Sequence, residues 1–158
     1  YSCRKFPTIW SGLFNRYSLA TRFFPNNRHS RDYLMLDYDH NSIRSVDWVS
    51  GCCMMISKLT FKKVNGFDEN YFLFIEDVDL CQAMKKKGLQ VIYFPNAKIF
   101  HKISSSNARL TPRLIIKRHQ GMIYYNQKYR KVNFIIQHTI NSIIMARCLL
   151  QILMNIVK

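Results

Sequence analysis

An acidic block, Glu76-Asp77-Val78-Asp79, contains the residues whose types and spacing could most directly do chemistry. It follows five apolar residues at 71–75 and precedes a helical pattern that ends in three lysines and Gly88. Carboxylates at the N-terminal end of a helix are stabilised by its dipole and often cap it. A carboxylate held there can also act as a general base. The spacing alone favours capping and leaves the catalytic interpretation open.

The segment before the acidic block predicts a strand followed by a short helix. Residues 46–56 are apolar and β-prone, with Gly51 at a place where another group can approach the backbone closely. Within it, the pair Cys52-Cys53 is expected to be small and buried. Ser57 is a suitable N-cap for a helix that runs to Lys63 or Val64. The Asn65-Gly66 turn then ends this helix.

Two extended segments are predicted after the helix of the acidic block. Residues 89–94 form a continuous apolar run that stops at Pro95, which indicates a strand. Residues 97–100 predict a second, shorter extended piece that delivers His101. A histidine beside an apolar run is usually a structural residue, so its spacing alone assigns it no ligand role.

Three motifs in this region occur together and in a fixed order: VDWVSGCCMMI at 46–56, VNGFDENYFLFIEDVDL at 64–80, and KKGLQVIYFPNAKIFH at 86–101, with serines after it. With these motifs, residues 46–106 resemble the C-terminal half of a family 2 glycosyltransferase catalytic domain of the rhamnosyltransferase-like kind. The resemblance implies an α/β fold, the C-terminal half of a GT-A fold, followed by C-terminal helices. It also implies sugar transfer from a nucleotide-sugar to a hydroxyl acceptor.

The resemblance assigns roles to particular residues. In inverting enzymes of this kind, the aspartate of the Glu-Asp pair is the base, and this position is Asp77. The resemblance places four residues on the acceptor side: Glu76, Trp48, Asp47 and Gly51. From residue type alone, Trp48 is as well explained as a core aromatic. Asp79 is expected to cap or support the helix.

A divalent metal, Mn²⁺ or Mg²⁺, is the cofactor that the resemblance implies. His101 matches the histidine that completes such a site, which begins at an Asp-x-Asp motif in related enzymes. The sequence Asp37-Tyr38-Asp39 has this form but comes too late in the family order, so we interpret it as a coincidence or a local structural pair. The donor-binding half should precede Tyr1. We therefore expect a C-terminal part of the enzyme that is inactive alone.

The basic residues of the chain predict an anionic partner. The 158 residues carry a net charge of +15, all nine acids lie at or before Asp79, and nine Lys or Arg lie in 109–158. This tail has no nucleic-acid-binding motif and becomes apolar from Val132 onward, which favours a membrane surface. Its longest charge-free run is short of the roughly twenty residues that span a bilayer. We predict an amphipathic helix lying on the membrane and leave a spanning segment open.

Cysteine usage and the segment boundaries complete the expectations. Five cysteines without CxxC spacing argue against a disulfide framework or a zinc site and fit a cytoplasmic location, peripheral to the inner face of the membrane. We predict a connecting segment at 1–45, with a helical piece near 9–20, a catalytic segment at 46–107 and a helical tail at 108–158. The predicted function is partial inverting glycosyl transfer in cell-surface polysaccharide or lipid-linked glycan synthesis. The alternative is a non-enzymatic basic membrane-surface or nucleic-acid-binding protein.

Overall fold

The computed structural model describes residues 2–13, 27–101 and 111–156. The chain forms two compact units, which are described in turn. The first unit consists of Tyr1–Phe67 and Asp77–Phe100, and the second consists of Asp68–Glu76 and His101–Lys158. Helices and strands both occur, as expected for an α/β glycosyltransferase domain. The serines at 104–106 and most of the predicted helical piece at 9–20 lie outside the described residues.

The first unit contains two small antiparallel sheets. Strand β1 (Cys3–Arg4) pairs with β3 (Trp48–Val49), and β2 (Arg44–Val46) pairs with β4 (Val91–Tyr93). The helices of this unit are α1 (Ile9–Leu13), α2 (Arg28–Tyr33), α3 (Lys58–Lys63) and most of α4 (Glu76–Lys86). Most of its buried apolar side chains come from the strands and from α4, and they include Cys3, Val46, Trp48, Val78, Leu80, Cys81 and Val91.

The N-terminal residues pack with the catalytic segment. Because β1 pairs with β3, part of the predicted connecting segment at 1–45 lies in the same unit as residues 46–67. The backbone N–H of Phe6 also donates to Oδ2 of Asp47 at 2.9 Å. Residues 2–6 therefore contribute ordered backbone to this unit.

The predicted strand at 46–56 is shorter than expected. After β3 the chain turns at Gly51, and Cys52 and Cys53 are exposed. The expectation that this cysteine pair is buried in a strand is therefore wrong, because the strand ends before it. The predicted strand at 89–94 contracts to β4, and residues 97–100 form no strand.

Local capping signals were predicted well. Ser57 caps α3 by accepting from the Thr60 N–H at 3.1 Å, and the helix ends at Lys63 with Val64 as its C-cap, within the expected bounds. The turn that follows places Asn65 and Gly66 at positive φ. Gly88, at φ +71°, follows the end of α4. Helix α4 begins at Glu76, however, so the acidic residues form its first turn and do not precede it.

The second unit is built on two long helices, α5 (Pro112–Tyr129) and α6 (Phe134–Ile156), which pack against each other. Thr111 caps α5, and Pro112 occupies its first turn, where proline is well tolerated. Four residues at 130–133 connect the helices, so they run antiparallel. Residues 68–76 belong to the same unit. Within the described part of the chain, α6 is the helix whose length and composition would allow it to cross a membrane.

Candidate functional site

The candidate site is centred on Asp77 in the first turn of α4. Its Oδ2 accepts a hydrogen bond from the backbone N–H of Gly51 at 2.9 Å. Its Oδ1 accepts from the N–H of Val78 at 2.8 Å. The side chain is half-buried. Two backbone donors therefore fix the direction of a carboxylate that solvent or a ligand can still reach.

Gly51 lies close to Asp77 without being in a glycine-only conformation. A Cβ at this position would lie 3.5 Å from Cβ of Asp77 and 3.7 Å from its Oδ2, which are ordinary van der Waals distances. What the site uses at residue 51 is the backbone N–H. Gly51 is itself exposed, in the turn that follows β3.

The negative charge of Asp77 affects the pKa of a buried neighbour, Cys81. Cys81, one helical turn along α4, is buried, and burial raises the pKa of its thiol to about 11. The negative charge of Asp77 raises this pKa further, while a backbone hydrogen bond with Val49 lowers it. Cys81 is therefore a neutral core residue, and Asp77 lies at the junction between β3 and α4.

Trp48 and Asp47 have structural partners in the first unit. The Trp48 ring is 5% exposed and its Nε1–H donates to the carbonyl oxygen of Lys5 at 2.8 Å. Asp47 accepts from the N–H of Phe6 through one oxygen and forms an ion pair with Lys85 of α4 through the other. Packing and these bonds account for both residues. Their assignment to the acceptor side stays a prediction.

The loop that leads into the acidic block has an unusual backbone. Phe74 and Ile75 both have positive φ, 66° and 74°. A β-branched residue in the left-handed region is a genuine outlier, and such strain of about 1–3 kcal/mol per residue is concentrated at functional sites. Glu76 follows directly, is half-buried and begins α4. This strain has no signal in the sequence, because the apolar run suggests a regular strand or helical turn.

Helix α5 holds this loop at Gly121. A Cβ on Gly121 would lie 3.5 Å from Cδ1 of Tyr71, 3.6 Å from the carbonyl oxygen of Phe74 and 3.9 Å from Cγ1 of Ile75. The guanidinium of Arg118 lies 5.8 Å from the centre of the Phe74 ring. An isolated glycine within a helical pattern was the available signal, since it often marks close packing.

Asp68, at the start of the same loop, forms hydrogen bonds and an ion pair with side chains of α5. Its Oδ2 accepts from the hydroxyl of Tyr124 at 2.9 Å and from Nζ of Lys128 at 2.7 Å. Its Oδ1 accepts from the backbone N–H of Asn70 at 3.0 Å. Burial alone would raise the pKa of Asp68, but hydrogen bonds from Lys128, Asn70 and Tyr124 hold it well below its usual range. Sequence reasoning missed this network because its partners lie more than fifty residues apart.

Three other acidic residues have structural explanations. Asp79 is 3% exposed in the first turn of α4, which fits the expected supporting role. Asp37 forms an ion pair with Arg31, and Oδ1 of Asp39 accepts from the N–H of Asn41. This Asp-x-Asp sequence is thus a local structural pair, as interpreted from its position in the chain.

The described residues do not by themselves complete a metal site. His101 is exposed and belongs to the second unit, as does Glu76. Among residues 2–13, 27–101 and 111–156, no cluster of three or more His, Cys, Asp or Glu side chains could hold a metal ion. His101 as a metal ligand therefore stays a prediction.

Comparison with known proteins gives a consistent picture. Residues 36–106 match the family described as "N-terminal domain of galactosyltransferase". An N-acetylglucosaminyl-diphospho-decaprenol L-rhamnosyltransferase of Mycobacterium tuberculosis is 32% identical over 108 residues, which is 68% of this chain and 34% of that relative. The chain thus spans about a third of the length of this relative. No solved structure is significantly similar to the chain.

Two further relatives match shorter stretches. Rhamnosyltransferase WbbL of Escherichia coli is 39% identical over 56 residues, which is 35% of this chain and 21% of that relative. A hexosyltransferase of low-salt glycan biosynthesis from Haloferax volcanii is 28% identical over 53 residues, which is 34% of this chain and 17% of that relative. The family match and the rhamnosyltransferase relatives agree with the motifs around Asp77. This part of the chain belongs to a glycosyltransferase domain of the rhamnosyltransferase-like kind.

Proposed function

We propose that this chain provides the acceptor-activating part of an inverting glycosyltransferase with a GT-A fold. The observation that carries the proposal is the Asp77 carboxylate, which two backbone N–H groups orient while leaving it accessible. Inverting transfer needs a base that removes the proton of the acceptor hydroxyl as the new glycosidic bond forms. Asp77 is this base, and the Gly51 N–H keeps one of its oxygens in a fixed position.

The relatives suggest the class of substrates. Their names describe rhamnosyl and hexosyl transfer, and one of them names a diphospho-decaprenol-linked acceptor. By analogy, the donor is a nucleotide-sugar and the acceptor is a hydroxyl of a glycan or of a lipid-linked glycan. A lipid-linked acceptor would be presented at the cytoplasmic face of a membrane. Because the chain spans about a third of that relative, the donor site is assigned to residues beyond the match.

Three other assignments belong to the same proposal. Glu76, next to the base, helps to orient the acceptor hydroxyl, and the turn at Gly51 is open to solvent on the acceptor side. A divalent metal, Mn²⁺ or Mg²⁺, would neutralise the leaving diphosphate, with His101 as one ligand. Since the described residues do not complete a metal site, no step of the proposed reaction depends on it here.

The experiment that tests this function is a transfer assay with a protein that carries the complete glycosyltransferase domain. Polyprenyl-diphosphate-linked and free glycan acceptors are compared with a panel of nucleotide-sugars, with and without Mn²⁺. We expect transfer with inversion at the anomeric carbon, and a weaker response to Mn²⁺ after His101→Ala. Retention of configuration at the anomeric carbon would exclude the proposed role of Asp77. If His101→Ala did not change the Mn²⁺ dependence of transfer, His101 would not be a metal ligand.

A further inference from the structure

The outward face of α6 is mainly apolar and carries no Lys, Arg, Asp or Glu, although His138, Thr139 and Ser142 are also exposed. Ten large apolar side chains of this helix are exposed, including Phe134 at 76% and Leu149 at 60%. The other eight are Ile135, Ile136, Ile143, Met145, Leu150, Leu153, Met154 and Ile156. They occur along the whole helix, which at 1.5 Å per residue is about 34 Å long. A surface of this extent on a protein exposed to water marks a site of interaction.

Five polar residues of α6 lie on its other face. Gln137, Asn141, Arg147, Gln151 and Asn155 recur at nearly helical spacing and are all half-buried, in the same stripe as the buried Ile140 and Cys148. Arg118 of α5 donates to the side-chain oxygen of Gln151. A surface helix of a water-soluble domain has the opposite arrangement, with its apolar stripe toward the core. Here the polar stripe faces the protein.

The packing of α5 against α6 limits the ways in which α6 could bind a membrane. By length and composition alone, α6 could cross a bilayer. It packs along α5, however, and α5 carries Arg113, Lys117, Arg118 and Lys128. A charged side chain at the bilayer centre costs about 2.5–3.5 kcal/mol on insertion scales. If α6 crossed the bilayer, the charged helix α5 would enter the hydrocarbon core with it. The packing of α5 on α6 therefore favours a position of α6 at the membrane–water interface.

We propose that α6 lies in the plane of one membrane leaflet, with its outward apolar face among the lipid chains and with α5 covering its polar stripe on the aqueous side. The lipid surface is favoured over a protein groove because exposed apolar residues occupy more than a narrow stripe of the helix. The exposed Lys131, three residues before α6, adds positive charge where anionic headgroups would lie. The inference deepens the proposed membrane location but does not depend on catalysis.

This arrangement differs from an electrostatic surface contact in a measurable way. If the apolar face carries the binding, neutral vesicles should bind the chain, and about 1 M salt, which reduces the Debye length to about 3 Å, should leave most binding intact. Anionic lipid should strengthen binding only modestly. A contact made by basic side chains alone would require anionic lipid and would be lost in high salt.

The first experiment is flotation of the whole chain with vesicles of phosphatidylcholine alone or mixed with phosphatidylglycerol. The double variant Leu149→Glu/Leu153→Glu changes two exposed residues of the outward face, so it should fold normally, as checked by circular dichroism. We expect it to bind neutral vesicles roughly a hundredfold more weakly, given the transfer free energy of two leucine side chains. The control variant Met55→Glu/Leu59→Glu changes two even more exposed apolar residues of the first unit and should bind normally.

The second experiment measures how deeply three positions of α6 lie in the membrane. Ile135→Cys, Met145→Cys and Ile156→Cys, each in a background with Cys52→Ser and Cys53→Ser, carry a fluorophore that nitroxide lipids quench. Equal shallow depth at all three positions is expected for a helix in the membrane plane. A much deeper position 145 would mean that α6 crosses the bilayer and would overturn the inference.

Two other results would also overturn it. Salt-sensitive binding to anionic vesicles alone would indicate a contact by basic side chains, and would leave a lipid-linked acceptor possible. Self-association through α6 without vesicle binding would identify a second copy of the chain as the partner. Because these assays do not require transfer activity, failure of the inference and failure of the proposed reaction are distinguishable.

Discussion

The backbone N–H of Gly51 lies 2.9 Å from Oδ2 of Asp77, which joins the turn after β3 to the first turn of α4. A carboxylate at a helix N-terminus usually turns back to cap its own helix. At this site one oxygen does so through Val78, while the other is held by a separate segment. Asp77 is therefore oriented from two directions, which is compatible with the general base proposed above.

The hydrogen bond from Gly51 to Asp77 can be tested with two substitutions at residue 51. We expect Gly51→Ala to transfer sugar at a near-normal rate, since its Cβ would make only ordinary contacts. Gly51→Pro lacks the N–H and should lower kcat about tenfold or more, with a smaller effect on KM for the donor. The measurement is steady-state transfer by the complete domain, with thermal unfolding as the check on folding. Equal activity of both variants would mean that the hydrogen bond to Asp77 does not matter for transfer.

The contact at Gly121 should be sensitive to side-chain size. Gly121→Ala fits the space beside Tyr71 and Phe74, whereas Gly121→Leu would push the strained loop away from α5. We expect Gly121→Leu to lower the free energy of unfolding by about 1–3 kcal/mol and to reduce transfer further than that loss explains. Gln120→Leu, at an exposed neighbouring position, is the matched control. If Gly121→Leu retained full activity, the loop would not need this support.

The Asp68 network should stabilise the second unit. Tyr124→Phe removes one hydrogen bond to Asp68 and is expected to cost about 1 kcal/mol, while Lys128→Met removes a charged donor and should cost about 1.5–3 kcal/mol. Urea unfolding measures both. Glu69→Gln, which changes an exposed acid next to Asp68, should have little effect. A Lys128→Met protein as stable as the unchanged chain would contradict the network.

The same network has a pH dependence with a definite sign. Because the folded-state pKa of Asp68 is lowered, its contribution is present above the unfolded value of 3.8 and is lost as pH falls further toward the folded value. Asp68→Asn should remove this part of the acid sensitivity. Unfolding between pH 4.5 and pH 2 compares the two proteins, and parallel curves would show that Asp68 is not held in its charged form.

His119 should make the chain acid-sensitive in a higher range of pH. This residue of α5 is 0% exposed, and burial lowers its pKa to about 4. The contact of its Nδ1 with the carbonyl oxygen of Ile115, at 2.7 Å, opposes this shift. The positive charges of Arg147 and Arg118 lower the pKa further. The unfolded state binds a proton near pH 6.5, so stability should fall between pH 6.5 and 4 by up to about 1.4 kcal/mol per unit. His119→Gln should flatten the curve in this range, whatever its stability at pH 7. An unchanged slope would mean that His119 does not titrate as described.

Features that depend on a few neighbouring residues were predictable from the sequence. Ser57, Gly88 and Pro112 act through their own backbone geometry or one nearby hydrogen bond, so their roles were visible in the local pattern. The motifs around Asp77 also indicated the family, because each of them is a continuous stretch of the chain. The roles of Trp48, Asp47 and His101 in acceptor or metal binding remain predictions.

Features set by distant contacts were not predictable. Cys52 and Cys53 were expected in a strand, but the chain turns at Gly51, where Asp77 binds its N–H. The positive φ values of Phe74 and Ile75 occur where the loop packs on α5, which no local pattern reveals. The polar stripe of α6 was present in the spacing of its residues. Only the packing of α5 showed which side of the helix that stripe faces.

The measurement that tests the central claim most directly is the transfer rate of Asp77→Asn in a protein with the complete glycosyltransferase domain. Asparagine can keep the hydrogen bond from Gly51 but cannot accept the acceptor proton, so kcat should fall by about 10²–10⁴-fold while folding and donor binding persist. Glu69→Gln, which changes an exposed acid outside the acidic block, should transfer normally. Near-normal turnover by Asp77→Asn, with loss of activity in Asp79→Asn, would contradict the account.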